Sequence, residues 1–241
     1  GIVSDVQLEA ISYAGQSHSQ TLPDKSTRGF FLGDGTGIGK GRTIAGIILD
    51  NYNQGRKKSL WVTLNASLVN DAKRDVEALF GNSDLVTQFA GGKKAESVLN
   101  TDEAIMVVSY SALSKGFDSD NSNFKKIINW LGEDFDGVIV FDEAHKMGNA
   151  TAVKGTRGIK KASQTGLAGI ALQKALPKAK IVYSSATGAT EVENLRYAER
   201  LGLWGEGTAF ATGDDFVSNI KAGGLAAMEL IARDMKAMGV Y

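Results

Sequence analysis

Five short runs constrain this chain more than anything else in it: GFFLG (29–33), LWVTL (60–64), IMVV (105–108), VIVF (138–141) and IVYS (181–184). Each is nearly all apolar, so a strand built from it has no face suited to water. Strands buried on both faces belong to parallel sheets covered on each side by crossover helices. The intervening segments carry helical periods, at DVQLEAISYAGQSH, GRTIAGIILDNY, SLVNDAKRDVEALFG, FKKIINWLG, TGLAGIALQKAL, VENLRYAERLG and MELIARDMKAM. Val6, Ala10, Tyr13 and Ala14, or Leu8, Ile11 and Gly15, are the candidate inner faces of the first. Ile44, Ile47 and Ile48 form the stripe of the second, and Gly81 ends the third. DLVTQF adds a shorter strand. The polar, basic, glycine-rich stretch 148–166 reads as a mobile loop. The expectation is an α/β fold of three layers, a mostly parallel sheet with helices on both faces.

With 43% hydrophobic residues in 241, the chain can bury a full core. Zero net charge gives no sign of a histone-like or polybasic binder. The absence of cysteine excludes disulfides and cysteine-bound zinc, and two histidines leave little for a transition-metal site. GIVSDVQLEA has no basic segment followed by an apolar core, and no apolar run approaches the ~20 residues of a membrane span. These features point to a cytoplasmic protein, nuclear if the source is eukaryotic, with no membrane partner. The chain begins without Met and stops inside a helical pattern, as a piece of a longer protein would.

Three segments carry chemistry, each at the end of a buried strand. In GDGTGIGKGR, Gly35, Gly37 and Gly39 permit a nest of inward-facing N–H groups, Lys40 supplies a cation, and a helix N-terminus follows, which is what phosphate binding needs. Alone, such a loop is equally a turn. In VIVFDEAH, Asp142 can hold Mg²⁺ and Glu143 can polarise a water; the alternative is two acids starting a helix. In YSSATG, Ser185 and Thr187 fall at the same sheet edge, where a helix-capping hydroxyl is the plainer reading.

In that order the three resemble motifs I, II and III of superfamily-2 helicases and translocases. Asp34, in place of the usual first glycine of the loop, has a parallel in Swi/Snf-type translocases. GDGTGIGKGRTIAGII, GEDFDGVIVFDEAHK, LPKAKIVYSSATGA and RLGLWGEGTAF together resemble the strawberry notch family, whose members carry GKGR where GKT or GKS is usual. The resemblance implies a RecA-like domain over 1–241, the first of two in a motor, with 205–241 starting the connection to the second. It implies ATP and Mg²⁺, bound by Gln7, Gly35, Thr36, Gly37, Ile38, Gly39, Lys40, Gly41, Arg42, Ser185 and Thr187, with Asp142 at the metal. Glu143 is then the general base, beside Lys40 and His145, and His145 couples the site to motif III. Gln7 would read adenine, with a solvated helix glutamine as the alternative; Arg42 would reach a phosphate or form an ion pair.

Gly41 leaves the metal without its usual hydroxyl. On a helix beginning near Lys40, positions 41 and 43 lie roughly 200° apart, so Thr43 faces away. Thr36 is the alternative, and phosphate oxygens, Asp142 and water otherwise suffice. Nucleic acid, DNA rather than RNA, is the expected partner of the longer protein. Asn65, Ser67, Ser109, Tyr110 and Ser111 stand where helicase motifs touch backbone phosphates, although each also suits a helix cap. Lys154, Arg157, Lys160 and Lys161 add positive charge or are simply solvated. Trp204 packs under a loop or hinges to a second domain, and Arg196 and Arg200 face solvent or that domain. A nucleotide-dependent switch without catalysis is the rival function, and a small-molecule kinase a weaker third.

Overall fold

The computed structural model describes residues 2–33, 39–65, 68–90, 95–148, 153–155, 158–160, 163–185 and 189–237. In chain order these form α1 (Asp5–His18), β1 (Phe30–Gly33), α2 (Lys40–Asn53), β2 (Lys58–Thr63), α3 (Val69–Phe80), β3 (Val86–Phe89), β4 (Ala104–Ser109), α4 (Tyr110–Ser114) and α5 (Asn123–Leu131). Then follow β5 (Val138–Asp142), β6 (Val153–Gly155), β7 (Gly158–Lys160), α6 (Gln164–Ala175), β8 (Lys180–Ser185), α7 (Gly213–Ala222) and α8 (Gly224–Ala237). Six strands make one sheet in the order β1-β8-β5-β2-β4-β3, and every pairing in it is parallel.

Each strand serves two cores by simple alternation. Phe30, Leu32, Trp61, Val107, Val138, Val140 and Val182 pack with α1, α2 and α3, among them Ile44, Ile47 and Ile48. Phe31, Leu60, Val62, Ile139, Phe141 and Tyr183 pack on the opposite face with residues of α4, α5 and α6. The same alternation sets the site: after Val138 and Val140, Asp142 is the next residue of β5 on the α2 side. Gly81 ends α3 in the left-handed region, at φ 71°.

Four expectations are corrected. Of the two proposed faces of α1, the one through Ala10, Tyr13 and Ala14 turns inward, but Val6 at its start is exposed. Of the other, Leu8 and Gly15 are exposed and only Ile11 packs on the core, while Gln7 and His18 join the inner face. The helix expected over VENLRYAERLG is 3₁₀ winding over Ala189–Tyr197. Within it Val192, Leu195 and Tyr197 are buried, the first two spaced by three as in a 3₁₀ turn. The stretch 148–166, read as a loop, contains an antiparallel ribbon in which Val153 faces Lys160 and Gly155 faces Gly158. Helix α7 has no counterpart in the sequence reading. Its start was visible as Thr212, whose hydroxyl accepts the Asp215 N–H.

The fourth correction is Arg200, which does not face solvent. It is 3% exposed, and its guanidinium donates to the carbonyls of Thr27, Gln173, Leu176 and Ala179. The bonds to Gln173 and Leu176 take up backbone oxygens at the α6 C-terminus that have no helical partner. Arg196 is also engaged, its Nε 2.8 Å from Asp214 Oδ1.

His18 closes the α1 side of the sheet, with Nε2 2.9 Å from the Ile181 carbonyl oxygen. Burial holds its imidazole down to about 4 against an ordinary 6.5, only partly offset by the Ile181 hydrogen bond. The fold therefore favours the neutral ring, and an unfolded chain takes up the proton first as pH falls. This contribution is complete above pH 6.5 and is lost as pH drops toward 4. Urea unfolding at pH 7 and pH 5 is expected to show that the native chain loses about 2 kcal/mol more over this interval than His18→Gln, which cannot titrate. Equal losses in both proteins would show that His18 is not the titrating group.

Candidate active site

Helix α2 begins at a glycine that no other residue replaces easily. Gly39 has φ 83°, and a Cβ there would lie 2.4 Å from Gln7 Nε2. The Gln7 amide bridges two helix starts. Its Oε1 accepts the Ser4 N–H at 2.9 Å, and its Nε2 donates to the Gly39 carbonyl at 3.1 Å. One turn of α1 is thus fastened to the entry of α2.

Lys40, the next residue, points to the end of β5. Its Nζ lies 3.1 Å from Asp142 Oδ1 and 3.3 Å from Glu143 Oε1. Burial disfavours the charged amine, but the two carboxylates outweigh it and hold the lysine above its ordinary pKa. Asp142 Oδ1 also accepts the Glu143 N–H at 2.9 Å. Glu143 itself sits at φ 47°, ψ 49°, a left-handed conformation unusual for a non-glycine residue. That turn swings its carboxylate back toward Lys40.

His145 follows on a 3₁₀ turn, with Nδ1 2.9 Å from Ser185 Oγ at the end of β8 and 3.6 Å from Glu143 Oε2. Tyr110 is buried and donates its hydroxyl to the Asp142 carbonyl at 2.6 Å, and burial pushes its phenol well above the usual range. Tyr110 therefore supports the acidic box and does not present itself to a passing strand. Ser109 caps α4 by accepting the Ala112 N–H, and Ser111 and Asn65 are exposed.

A cavity of about 480 Å³ opens beside Lys40, lined by Gly39, Lys40, Gly41, Trp61, Asp75 and Asp142 among others. Thr43 is absent from its lining. It is 4% exposed, and its hydroxyl returns to the Gly39 carbonyl, as the helix geometry predicts. Arg42 pairs with Asp75, Nε to Oδ1 at 3.2 Å, and its NH1 donates to the Ile2 carbonyl. Asp75 and Trp61 were not singled out in the sequence. Nothing local marks them, since one is an acid in a helix and the other an apolar strand residue.

Several candidates lie outside the described residues: Asp34, Gly35, Thr36, Gly37, Ile38, Ser67, Arg157, Lys161 and Thr187. Lys154 and Lys160 fall on β6 and β7. A larger cleft of about 730 Å³ is lined by Leu22, Arg196, Glu199, Trp204 and Asp214 among others, and shares no residue with the cavity at Lys40. Trp204 packs against Phe216 there, with ring centroids 5.7 Å apart.

Among the described residues no group of three or more His, Cys, Asp and Glu is arranged to hold a metal. The oxygen donors beside Lys40 nevertheless suit Mg²⁺, which takes few protein ligands and completes its shell with phosphate and water.

A buried parallel sheet, a lysine opening the first crossover helix and an acid pair one strand beyond its neighbour in the sheet are the makings of a P-loop NTP hydrolase. A family model described as P-loop containing NTP hydrolase pore-1 matches residues 1–241. The chain belongs to that family. This NTP hydrolase domain is 44% identical over 251 residues to the protein strawberry notch of Drosophila melanogaster, covering 100% of this chain and 15% of that protein. It is 44% identical over 248 residues to strawberry notch homolog 1 of Homo sapiens, covering 100% of this chain and 18% of the relative. The likeness to strawberry notch read from the motifs therefore runs the whole length of the domain, which spans under a fifth of these relatives. Among solved structures, the SWI2/SNF2 ATPase core of Sulfolobus solfataricus in complex with double-stranded DNA superposes with a TM-score of 0.64 at 16% identity. That match covers 98% of this chain and 42% of the other. The NTP hydrolase domain thus has the RecA-like fold of helicase ATPase cores. Among the described residues no helix is long and apolar enough to cross a membrane.

The left-handed turn at Glu143 has a measurable cost. Asparagine tolerates this conformation, whereas a β-branched residue there is a strong outlier. In chemical denaturation without nucleotide, Glu143→Asn is expected to stay close to the native stability, and Glu143→Val to fall roughly 1 kcal/mol or more below Glu143→Asn. Equal stabilities would mean that the turn carries no strain.

Proposed function

We propose that this domain binds and hydrolyses ATP as the first RecA-like half of a two-domain motor, and that the longer protein couples hydrolysis to movement on, or remodelling of, nucleic acid. The observation that carries the reading is the Lys40 ammonium held between Asp142 and Glu143 at the entry of α2. Without nucleotide, this lysine neutralises two carboxylates that otherwise repel each other. The β- and γ-phosphates of ATP compete for the same ammonium, so binding exchanges an internal ion pair for an external one. Release from Lys40 leaves Glu143 free to accept a proton from the water attacking the γ-phosphorus.

Asp142, on the α2 side of β5, would hold Mg²⁺ in this reading. When bound, the ion neutralises charge on the phosphate oxygens and fixes their position. The N-terminus of α2, which begins at Lys40, adds fixed positive ends toward the phosphates. Gln7 is the candidate for the adenine edge: its amide keeps a second N–H beyond the one donated to Gly39. His145, against Ser185, links the acidic box to the strand bearing the third motif, so that strand registers the state of Glu143.

Residues 205–241 lead in this proposal toward a second domain that supplies the arginine for the transition state. Arg196 and Arg200, engaged within this domain, are poor substitutes. DNA is favoured over RNA, since the Sulfolobus core of the same fold was solved on a DNA duplex. The presence of Glu143 in reach of Lys40 favours hydrolysis over a passive switch.

Calorimetry is expected to give ATP binding that Lys40→Ala weakens at least tenfold and that Glu143→Gln preserves. Turnover by the 241-residue chain should be near background. Restoring the downstream domain should raise it by roughly 10³ or more, the scale of an arginine finger, and Glu143→Gln should abolish that gain. Equal ATP affinity in the native chain and Lys40→Ala would refute the reading.

A further inference from the structure

The glycine after Lys40 removes a hydroxyl from the place where phosphate-binding loops of this kind usually have one. What occupies the vacated space is visible. A Cβ built on Gly41 would lie 2.3 Å from Asp75 Oδ2 and 3.3 Å from Asp75 Cγ. The first distance is one that real Cβ atoms essentially never show, so a side chain at 41 requires the carboxylate to shift. Asp75 belongs to α3, not α2, and is 6% exposed. Its Oδ1 is held by Arg42 Nε at 3.2 Å, while Oδ2 has only Arg74 NH2, at 3.5 Å from an exposed side chain. The oxygen aimed at position 41 is therefore the less engaged of the two.

Asp75 also lines the same cavity as Lys40 and Asp142. A second observation at this cavity is independent of the acid. Trp61, on β2, lines it too, and its indole N–H is buried without an acceptor among the described residues. A buried donor left without a partner costs about 1–3 kcal/mol, so the indole N–H gains from any shift of the cavity wall that brings it an acceptor, such as a phosphate or metal-bound water oxygen.

We propose that Asp75 takes over the role of the missing hydroxyl: the α3 carboxylate reaches across Gly41 and supplies the oxygen that orders nucleotide-bound Mg²⁺ and its water shell. The proposal rests on the ATP reading above. It accounts for the glycine at position 41, since a side chain there would push the Asp75 carboxylate from the place it holds. It also explains why the adjacent residue is arginine, since Arg42 holds the acid by its other oxygen and offsets its charge. The exchange replaces a neutral oxygen with an anionic one, so the site gains affinity for a hard divalent cation.

The test is calorimetric titration of ATP into the chain with Mg²⁺ and with excess EDTA, the ratio of the two affinities being the metal enhancement. Thermal unfolding of each variant checks its fold. Asp75→Asn keeps the shape and the Arg42 contact, and should lose roughly tenfold or more of the enhancement, the range seen when supporting ligands of a metal are removed. Its affinity in EDTA should be unchanged, which a merely structural role would not leave intact. Asp75→Ala should lose the enhancement as well, and Gly41→Ser combined with Asp75→Ala should regain part of it by restoring a hydroxyl to the freed space. Gly41→Ser alone should weaken binding through the clash. Full metal enhancement in Asp75→Asn, or a double variant no better than Asp75→Ala, would overturn the proposal while leaving ATP binding intact. No ATP binding by the native chain under either condition would overturn the nucleotide reading, and this pairing with it.

Discussion

One ammonium group ties the two halves of the site together. Lys40 comes from the helix after β1, and Asp142 and Glu143 come from the end of β5, with β8 between the two strands in the sheet. The ion pairs across that gap are partly sheltered from water, where charges interact more strongly than at a surface. They also fix how α2 sits on the sheet, and therefore where Gly39, Gln7 and the first turn of α1 are placed. In a parallel sheet the carboxyl ends of the strands all open to one edge, which is why residues distant in sequence converge there.

The supports behind this edge are of two kinds. Tyr110, at the start of α4, and Ser185, at the end of β8, hold the acidic box through a backbone carbonyl and an imidazole respectively. On the deeper side, the Tyr183 hydroxyl donates to Gln173 Oε1 and accepts the Arg200 N–H, while Gln173 also donates to the Tyr197 carbonyl. Burial pushes the Tyr183 phenol far up, so this hydroxyl stays a donor across the physiological range. The network locks the C-terminal half of α6 to β8 and to the chain that follows.

Much of the fold was legible in the sequence because the buried strands have no polar face to misread. The helices α1 and α2 and the left-handed stop at Gly81 followed from local patterns. The inner face of α1 followed in part: Ala10, Tyr13 and Ala14 turn inward, whereas exposed Val6 and buried His18 reverse what their side chains alone suggest. The 3₁₀ segment was misread because apolar residues spaced by three fit an α-helical face nearly as well over so short a span. At the site, Lys40, Asp142, Glu143, His145 and Ser185 were legible from order and spacing, and their geometry brings them together. Asp75 was not, since its meaning lies in the space above Gly41, and a sequence carries no record of which helix leans over which turn. Arg200 was misplaced for a similar reason: burial of a charged residue depends on carbonyls gathered from three other segments.

That gathering bears on how the domain comes together in time. Arg200 binds the Thr27 carbonyl across a sequence separation of 173, and also the end of α6 and the turn before β8. The full set of bonds exists only once β1 and β8 lie side by side, so it closes one of the longest loops in the chain and contributes nothing while early, local contacts form. Conversely, these bonds do not open piecemeal, because releasing the guanidinium strands a charge inside the core. The Arg200 amide, sheltered against the Tyr183 hydroxyl, is accordingly a place where hydrogen exchange reports the unfolding of the whole sheet rather than the breathing of a loop.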